Sequence, residues 1–275
     1  MRLLLLICFA CWTSDVSAQQ IRFGGQIVVV SPVANPVNYT PTATKFNADY
    51  LVHTSDLTGI SDGGIFTASL WFKLSDAAQD GTFRRLAEFA GIGLGAAGSL
   101  RITVDTVNIL RVQGQNAGGT TVLTLKSTST YTASTNWHHV ATSVDMSDAA
   151  KQFLYIDDVN ELNSTIFTVG ETIDFANGGN FGVMARGTDG DGIVTGSQSE
   201  LFFHTLFLDL SVVSNRRLFR SVTGHPVSLG ANGSVPFGVQ PRVYLANGFA
   251  TYQNNLGSGG NFSVTGSLQD DPAIP

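Results

Sequence analysis

Side chains do chemistry when the fold can bring them within reach of one another, and this chain offers few sets that could meet. Its glutamates are Glu88, Glu161, Glu171 and Glu200, and none is spaced to share a strand face with another. Glu200 and Asp209 fall nine residues apart in one predicted strand, so their carboxylates point to opposite faces. His138 and His139 are adjacent, so at most one of them faces any given site. Serines are plentiful, but no Gly-x-Ser-x-Gly elbow stands between a strand and a helix. His204 lies among Phe202, Phe203 and Phe207 and reads as a packed, hydrogen-bonded histidine. The only cysteines, Cys8 and Cys11, fall in the first 18 residues, so a chain starting at Gln19 has no thiol nucleophile, disulfide or cysteine metal site. Residues 91–98 contain Gly-x-Gly, but no helical pattern follows, and they read as a loop rather than a phosphate cradle.

The composition says what must position such residues. Of 275 residues, 43% are hydrophobic and 13% charged, with a net charge of −6. Apolar content this high and charge this sparse exclude a disordered chain, a coiled coil and a collagen. The absence of a basic excess argues against a general nucleic-acid binder. Arg2, the apolar run from Leu3 to Cys11 and the small residues Val16-Ser17-Ala18 predict a secretory leader over 1–18, too short to span a bilayer. Its removal would leave a secreted or extracellular protein with no membrane span.

Residues 19–43 predict one strand at Ile27-Val28-Val29-Val30 and then an extended arm carrying Pro32, Pro36 and Pro41. Residues 44–275 predict a single β-sandwich domain, because short runs of period-two alternation recur between glycine, asparagine and aspartate turns. The clearest run is 66–74, which places Phe66, Ala68, Leu70 and Phe72 on a core face and Thr67, Ser69, Trp71 and Lys73 on the other. Further strands are predicted at 100–105, 109–112, 121–126, 138–146, 152–156, 181–185, 200–210 and 242–246. One short helix is predicted at 214–222, capped by Ser214, with Leu218, Phe219 and Val222 on one face. Too few residues follow the proline- and glycine-rich stretch 224–241 to form a core, so the tail should return to the sandwich.

Trp137-His138-His139-Val140-Ala141, followed by Phe153-Leu154-Tyr155-Ile156-Asp157, resembles the W-H-H-V-A strand and L-Y-V-D-G hairpin of laminin-G-like and pentraxin-like domains in the concanavalin A-like superfamily. Phe66-Thr67-Ala68-Ser69-Leu70-Trp71-Phe72 and Phe46-Asn47-Ala48-Asp49-Tyr50-Leu51 are similar to two further strands of that family, and Glu200 to Leu210 to its closing strand. The resemblance covers about residues 44–222. It implies an all-β jelly roll of two antiparallel sheets with one short helix near the C-terminal third. Asp157-Asp158 stands where the family hairpin has Asp-Gly, so a different turn type is expected. The tail is similar to those of laminin-G-like proteins from bacteriophages and their host bacteria.

The family's enzymes carry Glu-x-Asp-x-x-Glu on one strand, and this chain has no such motif, so the resemblance implies a non-enzymatic recognition module. Its expected partner is a glycan or cell-surface polysaccharide, met by Trp71, Tyr155 and Asp157. Calcium is the expected cofactor, because related domains bind it at loop rims through aspartates and carbonyls. Asp189 and Asp191 of Asp189-Gly190-Asp191-Gly192, and Asp62 of Ser61-Asp62-Gly63-Gly64, are its candidate ligands. The alternative function is assembly, in a virion or another oligomer, through the same sandwich. Asn38, Asn163, Asn232 and Asn261 head glycosylation sequons.

Overall fold

A computed structural model describes residues 19–23, 26–30, 39–90, 100–187 and 189–275. They belong to two units, Met1–Asn38 and Tyr39–Pro275. In the first, β1 (Gln19–Phe23) and β2 (Gln26–Val30) pair antiparallel, with Gln19 opposite Val30. The sequence predicted a single strand and an arm here; Gln-Gln-Ile-Arg-Phe instead supplies a second strand for the valine run to pair with. The predicted leader lies outside the described residues.

The second unit opens with β3 (Thr44–Phe46), β4 (Tyr50–His53), β5 (Ile65–Leu74), β6 (Arg84–Ala90), β7 (Leu100–Val104) and β8 (Ile109–Gln115). It continues with β9 (Thr121–Thr130), β10 (His138–Asp145), β11 (Gln152–Ile156), β12 (Val159–Asn160), β13 (Asn163–Phe167) and β14 (Asn180–Val183). It closes with β15 (Gly196–His204), the one-turn helix α1 (Val213–Arg216), β16 (Val243–Leu245), β17 (Ser263–Thr265) and β18 (Gln269–Asp270).

These strands form two antiparallel sheets. The first runs β12-β11-β10-β5-β15-β3-β18, with β16 also paired to β15; the second runs β13-β9-β8-β7-β6-β14-β4-β17. The fold is the predicted all-β sandwich. Alternation explains the core: Phe66, Leu70 and Phe72 of β5 face Leu100, Ile102, Leu110, Val112, Leu123 and Leu125 of the second sheet. Phe66, Phe89, Phe175 and Phe203 pack ring on ring at its centre, with centroids 4.8 to 6.3 Å apart. The last three strands return to the sheets: β16 pairs β15, β17 pairs β4 and β18 pairs β3.

The outer face of the first sheet departs from expectation. Thr67, Ser69 and Trp71 were expected to line an exposed face, yet all three are buried, Trp71 to 2%. Residues from 205 onward lie over them. Thr67 donates to the Leu206 carbonyl at 2.7 Å, and Phe202, Phe219, Leu229 and Tyr244 form a second apolar cluster on that side. Covering both faces also erases alternation in β15, whose nine residues are all buried, and its range therefore sits earlier than the predicted 200–210. Glycine lets β15 lie this close: a Cβ at Gly196 would stand 2.1 Å from the Lys73 carbonyl oxygen.

The helix is shorter than predicted. Val212, not Ser214, is its N-cap, and Val222 is exposed, because the segment is held by side-chain bonds and not by an apolar stripe. Arg216 donates to the Leu210 carbonyl at 2.6 Å and Asn215 to that of Asp209 at 2.8 Å. Several strands escaped prediction, β6 and β13 being the longest in the second unit. Arg84–Ala90 contains no β-branched residue, and Asn163–Phe167 is an exposed edge.

Candidate functional site

The outer face of the second sheet gathers residues that the core-facing pattern turns outward. Because Leu100 and Ile102 of β7 and Leu110 and Val112 of β8 enter the core, Arg101, Arg111 and Gln113 must leave on the other side. Strand register then aligns them in two rows: Glu88, Arg101, Gln113 and Thr124 in one, and Arg85, Thr103, Arg111 and Lys126 in the other, each crossing β6, β7, β8 and β9.

The rows are held by specific bonds. Arg101 Nε donates to Gln113 Oε1 at 2.9 Å, and Gln113 Nε2 donates to Thr121 Oγ1 at 3.2 Å. Arg85 ion-pairs with the buried Glu88 and, at 2.9 Å, with Asp191. Arg111 pairs with Asp105 at 2.8 Å. The Phe83 ring lies under two guanidinium groups, Arg85 at 4.8 Å and Arg101 at 5.9 Å. Burial pulls the Arg101 guanidinium below its ordinary range; Glu88 opposes that pull, while Arg85, Arg111 and Arg186 add to it. Burial raises the Glu88 carboxyl, against the attraction of Arg85. Among the described residues, Arg101 and Lys126 make no ion pair. The arrangement combines forked cationic donors, an amide and an aromatic ring, a set suited to binding a polar ligand.

The predicted ligand face is elsewhere and is largely closed. Trp71, His139 and Asp157 form one row across β5, β10 and the β11 turn. Trp71 stacks on His139 at 4.7 Å with Arg220 5.8 Å above it, so burial removes it as an open sugar platform. Tyr155 is half-buried beneath Arg216, 4.3 Å from its ring. Asp157 accepts the His139 main-chain N–H at 2.9 Å and lies 2.7 Å from His138 Nδ1. Together with Asp158 it makes the hairpin turn: their φ values of 52° and 70° match a two-residue type I′ turn. Asp158 is fixed by Arg216 and Arg217, each at 2.5 Å.

Nor do Asp189 and Asp191, two of the three predicted metal ligands, fit calcium. Asp189 and Asp191 are bound by Arg186 at 2.8 and 3.1 Å, and Asp191 also by Arg85, so cationic guanidinium groups occupy the positions a cation would need. Asp62 belongs to another loop, where it accepts the Ala176 N–H at 2.8 Å. Among the described residues, no three His, Cys, Asp or Glu side chains are grouped to hold a metal.

Two buried polar groups lie under the covering segment. Ser69 Oγ is 2.8 Å from His139 Nε2, and burial, then Arg220, pushes that imidazole down to about 3, so it stays neutral. Glu200 sits at a bulge of β15 with φ 52° and accepts hydrogen bonds from Tyr39 and Tyr244. Burial lifts its carboxyl to about 7 against those two bonds. His204 packs 5.1 Å from Phe237 as expected, but neither ring nitrogen has a hydrogen-bond partner.

Phe83, Arg85, Arg101, Arg111, Gln113 and Lys126 were not singled out in the sequence. The signal was present for three of them, since Leu-Arg-Ile-Thr-Val and Ile-Leu-Arg-Val-Gln alternate cleanly. Charged residues on a strand's second face are ordinary, and only pairing across β6 to β9 makes them a band.

No protein-family model and no curated protein matches the chain. Its fold is similar to that of a candidate carbohydrate-binding protein from Bacteroides ovatus (TM-score 0.57, 11% identity, covering 90% of this chain and 68% of that one). It is also similar to a heptameric SAP-like pentraxin from Limulus polyphemus (TM-score 0.50, 11% identity, covering 84% of this chain and 94% of that one). At such identity the likeness is one of fold, a jelly-roll sandwich of two antiparallel sheets.

Proposed function

We propose that the protein is an exported, non-catalytic recognition module that binds carbohydrate on the outer face of its second sheet. The observation that carries this reading is the row of Arg101 and Gln113 beside Phe83, turned away from the core. Sugars are held by planar hydrogen-bond donors and acceptors next to an aromatic surface, and all three are present there. The fold's likeness to a candidate carbohydrate-binding protein supports the same reading.

Binding without catalysis accords with the acids. Glu88 pairs with Arg85, Glu161 accepts from Thr128 and Ser129, Glu171 from Asn116, and Glu200 from Tyr39 and Tyr244. Each glutamate thus has its own setting, and no two form an acid and base pair.

The test is a glycan array probed with the chain from Gln19 onward and with its Arg101→Gln variant. Competable binding that weakens in the variant supports the reading. Silence on the array together with stable oligomers would instead favour assembly, for which β13 offers an exposed strand at the edge of the second sheet.

A further inference from the structure

Resting on the glycan reading, we infer that the ligand is a linear anionic polysaccharide, bearing carboxylate or sulfate groups, laid across β6 to β9. Arg85, Arg101, Arg111 and Lys126 come one from each of four consecutive strands and leave the sheet on one face. Arg85 is buried beneath Asp191, so the accessible cations Arg101, Arg111 and Lys126, on strands about 4.8 Å apart, are spread over about 10 Å of sheet, perpendicular to the strands. That is the geometry of an extended chain with repeated charge and not of a single compact anion.

The state of each cation sharpens the point. Arg85 and Arg111 are neutralised, by Glu88 and Asp191 and by Asp105. Arg101 shares Glu88, its neighbour across the β6–β7 register, with Arg85, which holds the ion pair, and Lys126 makes no ion pair among the described residues. Arg101 is instead aimed by a neutral acceptor, Gln113, to which its Nε and Nη2 both donate. An amide fixes the direction of the guanidinium without adding a second counter-charge, which suits bidentate capture of a carboxylate or sulfate. A neutral sugar gains little from two unpaired cations. Burial already weighs against the charge on Arg101, and an incoming anion would relieve that cost.

Both nucleic acid and acidic glycan are polyanions, and the surroundings favour the glycan. One ring, Phe83, stands beside the band, whereas single-stranded nucleic acid is held by stacking successive bases on successive rings.

The experiment measures binding of the chain from Gln19 onward to polygalacturonate, dextran sulfate, unsubstituted dextran and single-stranded DNA, at low and raised salt. Binding to polygalacturonate or dextran sulfate that weakens with salt is expected, and the stronger of the two shows whether the anionic group is carboxylate or sulfate. Arg101→Gln and Lys126→Gln should each weaken it about threefold to tenfold, and the double variant by more than about tenfold. Arg101→Lys, which keeps the charge and loses the fork, should fall between. Circular dichroism and melting of each variant separate lost binding from lost folding, and Lys126→Gln, on a half-exposed side chain, is the variant least able to disturb the core. Equal binding to unsubstituted dextran, unaltered in these variants, would overturn the anionic assignment and leave the glycan reading standing. Tighter binding to DNA than to either acidic polysaccharide would overturn it in favour of nucleic acid. No binding to any polysaccharide, here or on the array, would overturn the glycan reading itself.

Discussion

Two sheets with similar alternation have outer faces of opposite character. On the first, Thr67, Ser69, Trp71 and Lys73 lie beneath the chain from 205 to 275. On the second, Arg101, Arg111, Gln113 and Lys126 keep access to solvent. Under the cover several polar groups find partners, although His204 does not. Ser69 meets His139, Lys73 meets Asp271 at 2.5 Å, Trp137 donates to the Ala273 carbonyl at 2.7 Å, and Glu200 takes two phenols. On the open face Arg101 and Lys126 make no ion pair among the described residues. The same strand grammar therefore yields a sealed face where the chain from 205 onward folds back, and a face that stays half open over β7 to β9, where no such segment lies among the described residues.

The largest test of this contrast strikes the covered face. Phe202→Ala removes the ring around which Phe219 and Phe237 pack, at 5.2 and 6.1 Å, and should lower unfolding free energy by about 3–5 kcal/mol in denaturant titration. A loss near zero would mean that the cover is not part of the cooperative fold.

Next comes pH. Glu200 keeps its proton in the folded chain up to about 7, whereas in the unfolded chain it loses it near the ordinary value of 4.5. The folded state therefore binds more protons across that window, and stability contributed by Glu200 is full below pH 4.5 and is lost as pH rises through 7. The expected change is about 3 kcal/mol, and Glu200→Gln should flatten it. His139 acts in the opposite sense: its contribution is full above 6.5 and is lost as pH falls toward 3, so the two slopes separate by direction. Chemical denaturation across pH for wild type and Glu200→Gln checks both.

A smaller effect is expected on the open face. Lys126→Gln should change unfolding free energy by only about 0.5 kcal/mol while weakening ligand, and Arg101→Gln, on a half-buried side chain bonded to Gln113, by about 1 kcal/mol. A large destabilisation would make the band structural. Smallest of all is calcium: with Asp189 and Asp191 already bound by arginines, millimolar calcium should leave the melting temperature unmoved. A clear rise would restore that loop as a metal site.

Much of the fold was legible. Phe66-Thr67-Ala68-Ser69-Leu70-Trp71-Phe72 announced a strand, and the Trp137 to Asp157 segment announced a strand and hairpin that form as β10 and β11. The Asp157-Asp158 departure was resolved by a turn in which aspartate tolerates positive φ. The candidate site was far less legible. Trp71 and Lys126 both occupy the second face of an alternating strand, and nothing local distinguishes the one that is buried from the one that is not. The aspartates at 189 and 191 looked like oxygen donors because Arg85, about a hundred residues earlier, could not be seen beside them.

The residue pattern by itself determined that this chain makes antiparallel strands with one apolar face each, because that alternation is satisfied by local geometry alone. It also determined that no paired-glutamate strand, thiol or serine elbow would arise after Gln19, because those are matters of residue type and short spacing. Only the tertiary structure decided which second face would be sealed. That depended on where β16, β17 and β18 return, and strand order joins residues far apart in sequence. It decided, for the same reason, that four scattered cations on β6, β7, β8 and β9 would stand side by side.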